Sequence, residues 1–180
     1  MRPFTTRAVL LCLLVGFLVA CGPASPSSIH SGSTPPATAP AGLFVKAKVV
    51  EVYDGDSIVV HLPEGRDVDV RLIGVDAPDS NEPFRGRASR FTRSLLPKGK
   101  TVYLEPGPGA WDNFNRYLAY VWLARPSESD IGESATRMLN GILLLKGFAH
   151  IEKSTANPKY AARFKALEAS AKRARRNIWS

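Results

Sequence analysis

Cysteine is nearly absent from the 180 residues, which contain only Cys12 and Cys21. Cys12 lies inside an N-terminal apolar run, so a chain processed after that run has no disulfide partner and must rely on a packed core. Histidine is scarce too, at His30, His61 and His150, with no spacing that suits a zinc site. There is no Gly-x-Ser-x-Gly elbow and no Gly-x-x-x-x-Gly-Lys loop, so a serine hydrolase or P-loop nucleotide enzyme has no support. No apolar run reaches the ~20 residues that a spanning helix needs. Residues 22–42 hold no Lys, Arg, Asp or Glu. They are almost wholly Pro, Ser, Thr, Ala and Gly, with too little apolar surface to offset the entropy of ordering, and are expected to form a flexible tether.

What is present begins with a leader. Arg2 and Arg7 precede the apolar residues 8–20, a run of signal-peptide length. The run ends in Leu18-Val19-Ala20-Cys21-Gly22, which resembles the bacterial lipobox. In that reading Cys21 becomes a lipidated N-terminus that attaches the protein to a membrane of the cell envelope. An ordinary secretory signal, or one left uncleaved, with Cys21 a spare thiol, is the alternative. The formal net charge of +8 falls to +6 when Arg2 and Arg7 leave with the leader, and all of the remaining charge follows residue 42. Such an excess favours an anionic partner, whether nucleic acid, lipid headgroups or a wall polymer.

From residue 43 the pattern changes to short β-like runs. Residues 44–53 and 57–62 are rich in Val and Ile and flank Asp54-Gly55-Asp56, a tight-turn signal. A further turn at Pro63-Glu64-Gly65 leads into 67–75, where Val68, Val70 and Leu72 alternate with Asp67, Asp69 and Arg71. The period of two predicts a strand with Arg71 on the face opposite the apolar residues. Ala88, Phe91, Leu95 and Leu96 fall at helical spacing before Pro97 and Gly99. Residues 100–105 and 116–124 read as two more strands, and 106–115 as a loop by its prolines and glycines. A polar loop over 125–133, a short helix from about Asn140 to Lys146 and a basic amphipathic helix over 158–176 complete the chain. Five strands with one helix between the third and fourth is the element order of an OB-fold, giving an α+β class with a small, mainly β barrel.

The residues able to carry chemistry are carboxylates and arginines at the ends of these strands. Any one aspartate at a turn reads as a turn former. Together, Asp56, Asp76 and Asp79 are hard oxygen ligands of the kind that suits Ca²⁺ or Mg²⁺. An arginine inside a β pattern must reach solvent or an anion, which singles out Arg71 and Arg116. Two guanidiniums beside a carboxylate-bound cation suit phosphodiester hydrolysis, because forked donors can bind the oxygens whose charge grows in the transition state.

The motifs Asp54-Gly55-Asp56-Ser57, Val70-Arg71-Leu72-Ile73-Gly74-Val75-Asp76-Ala77-Pro78, Asp112-Asn113-Phe114-Asn115-Arg116-Tyr117, Gly147-Phe148-Ala149 and Asn177-Ile178-Trp179-Ser180 closely resemble the staphylococcal nuclease family. The resemblance covers 43–180, in order and with similar spacing. It implies an OB-fold nuclease that hydrolyses DNA and RNA with Ca²⁺. Asp56 and Asp76 would ligate the metal with the Ala77 carbonyl, and Arg71 and Arg116 would hold the scissile phosphate. The motif's catalytic glutamate falls on Asp79, one methylene shorter, and Glu82 is a second candidate base if its loop folds back. Phe114 stands where a tyrosine near the nucleotide is usual and Asn113 where lysine is frequent, so Phe114 is expected to stack on a base. The family's pocket tyrosines have no clear equivalents in 151–156, and Tyr160 lies farther on.

The leading expectation is a monomeric nuclease, exported and attached through Cys21, that acts on DNA and RNA. A non-catalytic OB module that binds nucleic acid is the runner-up. A basic lipoprotein adhering to wall polymers is a third class.

Overall fold

The computed structural model describes residues 44–127, 135–153 and 159–180. The leader, Cys21, the tether, most of the 125–133 loop and the first residue of the expected last helix lie outside the described residues. Five strands close a barrel in the order β1-β2-β3-β6-β5. These are β1 (Val45–Val52), β2 (Ser57–His61), β3 (Asp67–Leu72), β5 (Thr101–Trp111) and β6 (Tyr117–Trp122), with β4 (Val75–Asp76) outside the barrel. Helix α1 (Arg85–Leu95) falls between the third and fourth barrel strands, as in an OB-fold. All barrel pairs are antiparallel except β3 with β6, whose parallel pairing closes the barrel. Val49, Ile58, Val60, Val70, Leu72, Val102, Leu104, Ala119 and Val121 fill the buried core. Alternation explains the choice: on β3 Val68, Val70 and Leu72 turn inward, while Arg71 faces out.

Two readings of the sequence are corrected. The third strand does not run unbroken to Val75, because Gly74 takes a left-handed conformation (φ 72°) that ends β3 and starts β4. The two residues of β4 instead pair with β7 (His150–Ile151), outside the barrel. The Pro/Gly stretch after Glu105 is not a free loop. Strand β5 continues through it to Trp111, with a register shift between Pro106 and Trp111 that takes most of the stretch out of the regular ladder.

Helices α2 (Leu139–Lys146) and α3 (Ala161–Arg173) pack against each other outside the barrel. Buried Asn140 joins α2 to the barrel: its Oδ1 accepts from the Val121 amide at 2.9 Å and its Nδ2 donates to the Ile73 carbonyl at 2.9 Å. Tyr160 is core, 2% exposed, and its hydroxyl donates to buried Glu105 at 3.0 Å beside the Trp122 indole.

The Gly147 and Asn177-Ile178-Trp179 motifs, far apart in sequence, meet here. Gly147 ends α2 with φ 69°, and a Cβ on it would lie 2.3 Å from the Arg176 carbonyl oxygen. The Ile178 amide donates to the Gly147 carbonyl at 3.1 Å, and Arg176 and Asn177 side chains donate to the carbonyls of Leu145 and Lys146. Gly147→Ala forces both a left-handed alanine and a backbone clash. It is expected to lower stability by about 3 kcal/mol, read as a reduced urea midpoint at unchanged slope.

Candidate active site

The turn between β1 and β2 is built by Asp54, whose Oδ1 accepts from the amides of Asp56 at 3.1 Å and Ser57 at 2.8 Å. This leaves Asp56 pointing inward. Gly55 gives the turn its seat: a Cβ there would lie 2.4 Å from the Ala77 Cβ, so only glycine lets the two loops approach. From α1, the buried Thr92 hydroxyl donates to the Gly55 carbonyl at 2.8 Å and pins the turn from behind.

Four of the predicted residues interlock at this point. Asp56 is 1% exposed. Its Oδ2 accepts from the Ala77 amide at 2.6 Å, while its Oδ1 accepts from Ser57 Oγ at 3.1 Å and from Arg71 Nη1. The other nitrogen of the Arg71 fork donates to Asp76 Oδ1 at 2.9 Å. Arg71 thus bridges a buried carboxylate and an open one, since the Asp76 side chain is 55% exposed. Burial pushes the Asp56 carboxyl up, and although Arg71, the Ala77 amide and Ser57 oppose it, the net position is about 6. Burial also works against the Arg71 charge, and Asp56 and Asp76 more than offset it.

Arg116 belongs to a neighbouring cluster. The parallel register pairs Arg71 with Leu118, so Arg116, two residues earlier, shares the outward face with Arg71. Asp112 aims it, accepting from Arg116 Nε at 2.7 Å and from the Arg116 amide at 2.9 Å. For Asp112 burial again pushes upward, but these bonds and the Phe114 amide win and hold the carboxyl below its ordinary range. Phe114 at the hairpin tip is 81% exposed, and the Arg116 guanidinium lies 5.4 Å from its ring centroid. Asp112 was not singled out in the sequence, although its place four residues before Arg116 at a hairpin end was the available signal.

Asp79 and Glu82 occupy the exposed turn that follows Pro78. That turn closes on itself: the Glu82 amide donates to the Asp79 carbonyl at 2.9 Å and the Glu82 carboxylate accepts from the Asp79 amide at 2.8 Å. Glu82 therefore holds the turn that presents Asp79. A cleft of about 760 Å³ opens beside Asp76, lined by His150, Glu152, Lys153, Lys172 and Trp179, none of which was assigned a role from sequence.

Among the described residues no group of three or more His, Cys, Asp or Glu gathers as a ready metal cluster. The site offers two carboxylates, Asp56 and Asp76, with the Ala77 carbonyl in the same segment. This all-oxygen donor set suits a hard cation completed by water, as Ca²⁺ is in many sites, and not zinc.

The family described as staphylococcal nuclease homologue matches residues 69–180. The thermonuclease of Staphylococcus hyicus is 34% identical over 139 residues, covering 74% of this chain and 75% of its own. The thermonuclease of Staphylococcus intermedius is 33% identical over 137 residues, 73% and 74% of the two chains. A micrococcal nuclease of Shigella flexneri is 28% identical over 141 residues, 78% and 77%. With the closed five-stranded barrel and a match over well over half its length, the chain belongs to the staphylococcal nuclease family.

Proposed function

We propose that the protein is a Ca²⁺-dependent nuclease that hydrolyses phosphodiester bonds of DNA and RNA, exported and held at the cell envelope by lipid on Cys21. The observation that supports this most is the interlock of Asp56, Arg71 and Asp76, with Arg116 on the same outward face. A protein that only bound nucleic acid would have no need to bury a carboxylate against an arginine next to a second, open carboxylate.

In this reading Asp56, Asp76 and the Ala77 carbonyl hold the cation, which when bound polarises the phosphoryl group. Arg71 and Arg116 bind the non-bridging oxygens, whose charge rises in the five-coordinate transition state. Asp79 accepts the proton of the attacking water, with Glu82 fixing its turn. Phe114 stacks on a base beside the scissile phosphate.

Digestion of plasmid DNA and of a long RNA by the purified protein, with Ca²⁺ and with EGTA, tests this. Cleavage of both with Ca²⁺ and of neither with EGTA is expected, with Asp79→Ala losing far more activity than Glu82→Ala. No cleavage under Ca²⁺ at high enzyme concentration would refute the nuclease reading. The shorter carboxylate at Asp79 favours a second reading, a binding module of the same fold, which predicts retention of an oligonucleotide without cleavage.

A further inference from the structure

Helix α1 has four arginines and no acidic residue in eleven positions, Arg85–Leu95. Its inner face is committed to the barrel: Ala88, Ser89 and Thr92 are buried, and Thr92 holds the turn that carries Asp56. Arg93 is also committed, donating to the carbonyls of Val52 at 3.1 Å and Tyr53 at 3.0 Å. Arg87 and Arg90 are different. Both are exposed, and among the described residues neither forms a salt bridge. The Arg87 guanidinium lies 5.3 Å from the centroid of the Phe84 ring. Arg90 reaches back over Gly86, with Nη1 3.4 Å from where a Cβ would stand. Phe84, Gly86, Arg87 and Arg90 line one shallow groove, directly after the turn that carries Asp79 and Glu82.

We infer that this groove is a docking surface for the single strand of nucleic acid flanking the cleaved bond, an inference that rests on the nuclease reading above. Forked guanidiniums without carboxylate partners fit phosphate oxygens, and two of them side by side fit successive phosphates. The ring–guanidinium pair is a platform for the face of a base, and only an unpaired base offers one. Because α1 is pinned to the Asp56 turn, the groove keeps a fixed position relative to the candidate catalytic residues. The surface therefore gives the enzyme a preference for long single strands over short ones, without touching the reacting phosphate.

The test is binding of a long oligodeoxythymidylate and of a trinucleotide by the full-length protein in EDTA, where no cleavage is expected, across a range of salt. The Arg87→Gln/Arg90→Gln variant is expected to lose affinity for the long strand on the order of tenfold at low salt. Its log K against log salt slope should fall by about 1.4, the value for two phosphate contacts on a single strand. Trinucleotide binding should be unchanged, and Arg87→Lys/Arg90→Lys, which keeps both charges but neither fork, should keep the parent's salt slope while losing part of the long-strand affinity, which also controls for folding. Unchanged long-strand affinity and slope in the Gln variant, with Ca²⁺-dependent cleavage intact, would overturn this inference alone. So would a variant that loses binding only to phosphatidylglycerol vesicles. Failure of the parent protein to bind or cleave any strand would instead overturn the nuclease reading.

Discussion

Asp56→Asn is expected to abolish Ca²⁺-dependent cleavage while making the cation-free protein more stable. The two effects come from the same carboxylate. Asp56 is 1% exposed, and burial raises its carboxyl from an ordinary value of 3.8 to about 6 despite Arg71, the Ala77 amide and Ser57. At neutral pH the fold therefore holds an ionised group at a cost of about 3 kcal/mol. Asparagine has the same shape and no charge; its oxygen can keep the Ala77 amide bond, and its NH2 can donate to Ser57 Oγ but gives up the bond from Arg71 Nη1. Arg71, 15% exposed, keeps Asp76 and the solvent. The sign follows from linkage. A raised carboxyl favours the fold in its protonated form, an advantage fully present below the ordinary value and lost as pH rises through about 6. In EDTA the parent and Asp56→Asn should therefore melt together near pH 4 and separate as pH approaches 7, with the variant higher by up to ~3 kcal/mol. Ca²⁺ should raise the melting temperature of the parent and leave the variant nearly unmoved. A variant less stable than the parent at neutral pH without Ca²⁺ would show that Asp56 serves the fold and not a cation.

That outcome depends on long-range contacts that the sequence only partly displays. The strands were legible because Val68, Val70 and Leu72 alternate with polar residues, and the carboxylates because Asp54-Gly55-Asp56 and Asp76-Ala77-Pro78 break apolar runs. The closing of Asp56 onto the Ala77 amide, 21 residues away, was not legible from periodicity. Resemblance to a family grouped Asp56, Asp76 and the Ala77 carbonyl as expected ligands, and the bond from the Ala77 amide to Asp56 comes only from the fold. Other misses share a cause. Thr92, Asn140 and Glu105 are polar residues whose significance lies in partners 37, 67 and 55 positions away, and no local pattern marks them. The two-residue strands β4 and β7 are too short to carry a period, so the Gly74 break was absorbed into one longer strand. The stretch from Pro106 to Gly109 was read from composition, and composition does not distinguish a bulge in a strand from a loop.

Arg116→Lys and Arg71→Lys are expected to lower kcat by comparable large factors, about 10²–10³ each, and to differ in their effect on the fold. Lysine keeps the charge but not the fork, so it cannot offer two parallel donors to the non-bridging oxygens. At Arg116 the fold has little at stake. The side chain is 33% exposed and its ion pair with Asp112 joins residues of one hairpin, a contact worth at most about 1 kcal/mol, so the melting temperature should scarcely change. At Arg71 the same replacement removes a fork that spans Asp56 and Asp76, and a lone ammonium cannot satisfy both. Because one of these carboxylates is buried, Arg71→Lys should also destabilise the cation-free protein by on the order of 2 kcal/mol. If both arginines act on charge that develops in the transition state, kcat and kcat/KM fall together while KM for a short substrate holds. An Arg116→Lys enzyme that raised KM alone would place Arg116 in ground-state binding, as a partner of the exposed Phe114 and not of the scissile phosphate. The two variants together separate a residue that serves chemistry alone from one that also balances the charge of the fold.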